Sequence, residues 1–273
     1  MMTLSHKIKP FIPRAIMHKL ASLKRKGNQD YFWGKFFGRN LLVFEADQLS
    51  RSWYGKEWRT DNRSEFSALS RAALPRDALI FDIGAHQGIV SILLKELIAP
   101  EGQVIALEMD AKNVRAAELN LKKNNISGVH VHHQAISDRK SSIRYTGRSN
   151  SSIANQSIMN IILPKVEAIS IDELCNSHGT PDLIYLDVEG AEILAMKGAK
   201  DALRLGPVWF IELHGDEACS QFGGRNEDVI AALHGYGYRV LFAPSEAEDF
   251  TELKECHDHS ARGFILAIPI AKC

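Results

Sequence analysis

The stretch "LIFDIGAHQGIVS", residues 79–91, decides the fold of this chain because it joins a buried strand to a helix through a glycine-containing turn. Residues 78–83 are apolar except for Asp82, which is typical of a strand buried in a parallel sheet. Residues 88–98 then show the helical period, with their apolar side chains on one stripe. Gly84 and Gly88 lie where strand becomes helix, and glycine there lets the main chain approach a ligand closely. The stretch therefore predicts a ligand-binding turn.

Beyond this turn, short apolar runs alternate with helical patterns, which favours repeated strand–helix units and a mostly parallel sheet. Strands are predicted at 78–83, 103–108, 128–136, 181–188, 207–214, 238–244 and 263–269, and helices at 88–98, 111–125, 170–178, 190–204 and 226–237. Ser170 and Glu173 have the spacing of a capping box. Only a polar loop joins the last two strands, so this pair could be antiparallel. The prediction is an α/β fold with seven strands.

Residues 1–77 do not follow this alternation and are predicted to form a helical or irregular extension before a domain at 78–273. Residues 1–40 carry nine basic residues and one acidic residue, although the whole chain has zero formal net charge. The balanced total gives no reason to expect nucleic acid as a partner. The amphipathic segment 13–27 is either a helix docked on the core or a patch for an anionic membrane surface. Four cysteines without a C-x-x-C pair favour reduced thiols and a cytoplasmic location.

Polar residues at the ends of three successive strands indicate the ligand. Asp82 would repel a phosphate but suits a cationic amino group, and a dinucleotide fingerprint would need a third glycine. Glu108, 24 residues beyond Gly84, is placed to accept hydrogen bonds from ribose hydroxyls. Ser137 and Asp138 are placed to meet an adenine edge. A ligand with a ribose, a positive amino group and no phosphate describes S-adenosylmethionine.

Six segments carry a family resemblance: "FDIGAHQG", "LEMD", "AISD", "SIDEL", "DLIYLDVEGAEILAMKGA" and "FIELHG". Together, over residues 65–215, they resemble the FkbM family of S-adenosylmethionine-dependent methyltransferases. The resemblance implies a Rossmann-like class I fold, with seven strands, an antiparallel last strand and helices on both faces. It implies O-methylation of a sugar, a glycan or another natural product. The family usually has Asn at the position of His86. The predicted cofactor-binding residues are Asp82, Gly84, Ala85, His86, Gly88, Glu108, Ser137 and Asp138.

Acidic residues after the later strands are the candidates for catalysis. Asp187 is the predicted substrate-side acid, and Glu189 and His214 are candidate general bases. Glu192, at the start of a helix, is interpreted as an acid favoured by the helix dipole. A site of Asp187, Glu212 and His214 could hold Mg²⁺, but carboxylates at strand ends serve as bases at least as often, so the prediction is a site without metal.

Two other functions compete with methyl transfer. One is a nicotinamide-dependent oxidoreductase, against which the missing third glycine and Asp82 argue. The other is a non-catalytic nucleotide-binding or membrane-associated scaffold that uses the basic N-terminus. The aromatic residues Trp53, Tyr54 and Trp58 either stack on a sugar ring or pack within the N-terminal segment, and packing is favoured. No motif in the sequence identifies the methyl acceptor or the oligomeric state.

Overall fold

The computed structural model describes residues 31–147, 152–153, 162–253 and 258–270. The amphipathic segment 13–27 lies outside these residues. In chain order, the elements are β1 (Tyr31–Phe36), β2 (Arg39–Phe44), α1 (Gln48–Tyr54), α2 (Glu65–Arg71), β3 (Leu79–Ile83), α3 (Ile89–Glu96), β4 (Gln103–Glu108), α4 (Ala111–Lys123), β5 (Val129–His133), β6 (Ala135–Ile136), β7 (Ser141–Arg144), β8 (Lys165–Ile169), α5 (Ile171–His178), β9 (Leu183–Leu186), α6 (Glu192–Lys197), α7 (Lys200–Leu205), β10 (Val208–His214), α8 (Asp216–Ser220), α9 (Asn226–Gly235), β11 (Tyr238–Ala243), β12 (Thr251–Glu252) and β13 (Arg262–Pro269).

The main sheet has eight strands in the order β12-β11-β13-β10-β9-β3-β4-β5. Strands β5, β4, β3, β9 and β10 are mutually parallel, whereas β13 is antiparallel to both of its neighbours. This confirms the mostly parallel sheet with an antiparallel last strand. The eighth strand, β12, is a two-residue addition to the edge strand β11, too short to produce a recognisable sequence pattern.

Helices cover both faces of the sheet, as the class I fold implies. One apolar layer packs α5, α6, α7 and α9 on one face, through residues such as Ile171, Met196 and Ile230. The opposite layer combines α3 and α4 with the described part of the N-terminal extension, including Phe36 and Leu41. Helix α5 begins with the predicted capping box between Ser170 and Glu173.

The N-terminal extension begins its described part with a β-hairpin of β1 and β2, where sequence patterns predicted helical or irregular structure. The open edge of β2 docks on α4 through two asparagine side chains. The Phe44 amide donates to Asn120 Oδ1 at 2.6 Å, and the Leu42 amide donates to Asn124 Oδ1 at 2.9 Å. These amides supply the partners that an edge strand otherwise lacks. The extension therefore shares a core with the sheet, and the boundary at residue 77 stays a prediction.

Two predicted elements are broken in the structure. The strand expected over 128–136 divides at Gln134 into β5 of the main sheet and β6 of a three-stranded sheet with β8 and β7. The helix expected over 190–204 divides at Gly198 into α6 and α7. A Cβ at Gly198 would lie 2.6 Å from the carbonyl oxygen of Ser137, so close packing of two chain segments interrupts this helix.

Candidate active site

A cavity of about 680 Å³ lies at the carboxyl ends of β3, β4, β9 and β10. Its walls come from the turn after β3, from the ends of β4 and β9, and from the N-terminal extension around Trp53 and Arg63. In open α/β sheets this edge is the usual ligand-binding position. The predicted cofactor-binding turn and the predicted catalytic acids therefore open into the same space.

Gly84 brings β3 and β9 together beneath the cavity. Its φ is +94°, and a Cβ added there would lie 1.7 Å from the carbonyl oxygen of Asp187. The amides of Gly84 and Ala85 both donate to the carbonyl oxygen of Leu107 at 2.9 Å. Gly88 serves another purpose, because an added Cβ would lie 2.9 Å from Cβ of Ala117 in α4. Gly84, Ala85 and His86 line the cavity, whereas Gly88 sets the packing of α3 against α4.

Two carboxyl groups lie under the cavity at the ends of β3 and β4. Asp82 is 1% exposed and accepts a hydrogen bond from Ser91 Oγ. Burial raises the pKa of Asp82 to about 7 against the lowering effect of that hydrogen bond. Burial also raises the pKa of Glu108 to about 7, although the amides of Asp110 and His86 donate to its two oxygens at 2.7 and 2.8 Å. Both groups line the cavity, as predicted.

His86 connects the cofactor-binding turn to the N-terminal extension. Its φ is +49°, and its Nδ1 lies 2.7 Å from the Tyr54 hydroxyl oxygen. Burial raises the pKa of Tyr54 above its ordinary value, so the phenol keeps its proton. The hydrogen bond between the Tyr54 hydroxyl and His86 Nδ1 links helix α1 to the turn, a role that the sequence motif left open.

The third predicted contact lies elsewhere in the structure. Ser137 is buried, with its amide donating to the Ile169 carbonyl, and Asp138 pairs with Arg139 at 2.8 Å. Among the described residues, the lining of the cavity at this end comes instead from the segment Gln134–Ile136. Gln134 marks the break between β5 and β6, and a continuous strand prediction concealed this break.

The predicted catalytic residues gather around His214. Its Nδ1 lies 2.8 Å from Glu192 Oε1, and its Nε2 lies 3.5 Å from an oxygen of each of Asp187, Glu189 and Glu212. Glu192 is completely buried as the first residue of α6, and it also accepts from the Gly190 amide at 3.1 Å. Glu192 is thus both the predicted helix-start acid and a partner of the imidazole.

The carboxylates determine the charge of His214. Burial lowers the pKa of His214, but the hydrogen bonds to Glu189 and Glu192 and the charge of Asp187 outweigh burial and raise the pKa to about 11. Burial and the charge of Glu212 raise the pKa of Asp187. Burial also raises the pKa of Glu212, against the opposing charges of His214 and Arg262. The surrounding carboxylates therefore favour the protonated form of His214.

The three residues that could hold a metal ion do lie together. Ligand atoms of Asp187, Glu212 and His214 are all within 4.8 Å of one another. Two of them already have strong partners, since Glu212 accepts from Arg262 Nε at 2.6 Å and His214 faces Glu192. A metal ion would have to displace the imidazole proton.

The family model described as the methyltransferase FkbM domain matches residues 82–240, more than half of the chain. The chain belongs to the FkbM methyltransferase family. The sequence resemblance is therefore confirmed. No curated protein gives a significant match.

Solved structures similar to this chain are distant in sequence. An FkbM methyltransferase from Methylobacillus flagellatus KT is 16% identical with a TM-score of 0.46, covering 71% of this chain and 44% of that one. This chain thus spans less than half of that relative. A SAM-dependent methyltransferase from Aquifex aeolicus is 12% identical, with a TM-score of 0.45 and coverage of 77% and 92%. A candidate SAM-dependent methyltransferase from Streptococcus mutans is 11% identical, with a TM-score of 0.50 and coverage of 90% and 57%, and it supports the fold alone.

In this chain the N-terminal extension supplies a wall of the cavity that sequence motifs did not reveal. Tyr54 and Trp58 are buried against Phe36, so their predicted packing role is confirmed, whereas Trp53 is 36% exposed beside the His86 ring. The Arg63 guanidinium lies 4.0 Å from the centre of the Trp58 ring. No local pattern identifies these positions, since they reach the cavity only through tertiary packing.

Proposed function

We propose that this FkbM methyltransferase binds S-adenosylmethionine in the cavity and transfers its methyl group to a hydroxyl of a sugar, a glycan or another small natural product. The cluster of carboxylates around His214 carries the proposal. Methylation of a hydroxyl releases a proton, and three of these carboxylates, Asp187, Glu189 and Glu212, line the cavity where they could accept it.

The residues on the cofactor side fit S-adenosylmethionine. Glu108 is at the end of β4, and its oxygens have further lone pairs available beyond the two amide hydrogen bonds that they accept. Gly84 lets the main chain of β9 pass close beneath the turn, so that Asp187 reaches the cavity beside it. The polar side chain of Gln134 replaces Ser137 and Asp138 as the proposed adenine contact. The cofactor supplies a methyl group activated on a sulfonium, so the protein has to position the acceptor and remove its proton.

Asp187 and Glu189 are the proposed bases. Because the carboxylates favour the protonated form of His214, its proposed role is to orient them and to offset their charge rather than to accept the proton. The raised pKa of Asp187 makes its carboxylate a better proton acceptor than an exposed aspartate. This replaces the expectation that His214 acts as a base.

The test is transfer of a labelled methyl group from S-adenosylmethionine to fractionated cell extract, followed by mass analysis of the product. We expect a labelled small molecule or glycan, and we expect Asp187→Asn to abolish transfer while cofactor affinity in calorimetry stays nearly unchanged. Label found only in protein or nucleic acid fractions would contradict the proposed acceptor class. Equal transfer by Asp187→Asn and the wild type would contradict the proposed base.

Two arms of the same assay address the other open predictions. We expect unchanged transfer after chelation of divalent cations, because the possible metal ligands already have charged partners. Loss of transfer on chelation, restored by Mg²⁺, would establish a metal site. Cofactor binding without transfer to any fraction would favour the scaffold, while the family match does not support the oxidoreductase.

We also propose a cytoplasmic location and peripheral membrane contact through the basic N-terminus. The described cysteines, Cys175 and Cys219, are free thiols. Among the described residues, no helix has the length and apolar composition to cross a membrane. The basic segment lies largely outside those residues, so binding of the full chain to vesicles of anionic and neutral lipid tests this contact.

A further inference from the structure

The cavity is strongly acidic, and this limits how it can hold a ligand with a carboxylate. Among the described residues, seven lining side chains are acidic and three are lysine or arginine, namely Lys56, Arg63 and Arg262. S-adenosylmethionine has two positive groups that suit such a cavity and one carboxylate that does not. Because an unpaired carboxylate beside these acids is unfavourable, it needs a cationic partner.

Two of the available cations, His214 and Arg262, pair with Asp187 or Glu212 of the proposed catalytic cluster. Arg262 donates from Nε to Glu212 at 2.6 Å and from Nη2 to Glu246 at 3.0 Å. His214 faces four carboxylates and is 10% exposed at its side chain. The remaining candidates are Lys56, on an exposed loop, and Arg63.

Arg63 is held in one orientation. Its Nε donates to Glu65 Oε1 at 2.6 Å, its Nη1 lies 3.3 Å from Glu246 Oε1, and its plane lies over the Trp58 ring. Its side chain is 20% exposed, and within the described part of the chain Nη2 has no hydrogen-bonding partner. A guanidinium fixed by two carboxylates and a ring presents its remaining hydrogens at little entropic cost.

The position of Arg63 suits the amino acid end of the ligand. Adenine and ribose contacts are expected at Gln134 and Glu108, beyond β5 and at the end of β4. From there the ligand must extend along the sheet edge past Gly84 toward Asp187 at the end of β9. Arg63 lies at this side of the cavity, where its charge acts on Tyr185 of β9 and on Tyr54.

We propose that Arg63 binds the carboxylate of S-adenosylmethionine, so that the N-terminal extension completes the cofactor site. The proposal rests on the cofactor of the proposed function and not on its acceptor. It assigns to the extension a binding role that lies outside the stretch matched by the family model.

The test compares two ligands that differ by the carboxylate alone: S-adenosylmethionine and its decarboxylated form. Calorimetry on the full chain should show that Arg63→Gln weakens S-adenosylmethionine about 10- to 100-fold, as expected for loss of a charge-assisted pair. Affinity for the decarboxylated ligand should stay within about twofold. Arg63→Lys should recover part of the loss, and Lys56→Gln is the matched control that should bind both ligands normally.

Removing Arg63 also leaves Glu65 buried without its partner, so Arg63→Gln/Glu65→Gln removes both charges together and keeps the test valid if the single variant unfolds. Equal weakening of both ligands, or of neither, would refute the proposal. A selective loss in Lys56→Gln would assign the carboxylate to Lys56 and refute it as well. If selectivity follows the expected pattern but no acceptor is methylated, the proposed function fails while this inference stands.

Discussion

Replacing Gly84 with alanine should disrupt both stability and cofactor binding, because two separate costs meet at this residue. The φ of +94° puts an alanine in the left-handed region, which costs about 1–2 kcal/mol. The added Cβ would also lie 1.7 Å from the carbonyl oxygen of Asp187, and real Cβ contacts are essentially never shorter than 3.0 Å. The end of β9 must therefore move by more than about 1 Å, an overpacking cost of about 1–3 kcal/mol. The expected total loss of unfolding free energy is about 2–5 kcal/mol.

Gly237→Ala is the matched control for this prediction. Gly237 has a φ of +83°, and nothing lies within 4 Å of an added Cβ, so this variant carries only the conformational cost. Urea unfolding followed by circular dichroism gives both free energies by linear extrapolation. Calorimetry with S-adenosylmethionine should show normal affinity for Gly237→Ala and a loss for Gly84→Ala, since the clash also distorts the turn of Gly84, Ala85 and His86 that lines the cavity. Stabilities of the two variants within about 0.5 kcal/mol would refute the steric argument.

Two further predictions concern ionisation and the link to α1. Burial raises the pKa of Asp82 and of Glu108 to about 7, so folding favours the protonated form of both groups. Because both are protonated below their ordinary pKa, the cofactor-free protein should be most stable there and should lose stability as the pH rises from about 4 to 7. Asp82→Asn should remove the part of this pH dependence that Asp82 causes, at most about 4 kcal/mol of unfolding free energy over that pH range. Melting temperatures measured across pH show the change. The same pH dependence in the variant and the wild type would contradict the burial argument. Tyr54→Phe removes the hydrogen bond between the Tyr54 hydroxyl and His86 Nδ1, which should cost about 1–2 kcal/mol of unfolding free energy and weaken cofactor binding. Tyr236→Phe, the control, should change neither the unfolding free energy nor cofactor binding. Equal effects of the two variants on both quantities would exclude a role for the hydrogen bond.

Much of the sheet was predictable because its signals are local. The apolar runs and helical periods each lie within about ten residues, and the capping box at Ser170 needs only a spacing of three. The antiparallel pairing of β13 followed from the absence of a helix before it. The β1–β2 hairpin was missed because its stability depends on Asn120 and Asn124, some 80 residues away in sequence.

The candidate site also combines positions that local patterns predict with positions that only packing determines. The positions of Asp187, Glu189 and His214 at strand ends followed from strand periodicity, since the carboxyl ends of parallel strands meet at one edge. The break at Gln134 brings the segment Gln134–Ile136, and not Ser137 and Asp138, to the cavity wall, and periodicity cannot resolve a shift of so few residues.

The sequence by itself determined the fold class, the family and the strand ends that carry acidic residues, because these depend on local spacing. Only the tertiary structure decided that four carboxylates surround His214 and raise its pKa, since they come from two separate strand ends. It likewise decided that Arg63 belongs to the cavity, since that requires the N-terminal extension to pack across the sheet edge. Charge states and binding walls depend on distances between segments far apart in the chain, and such distances are set by packing.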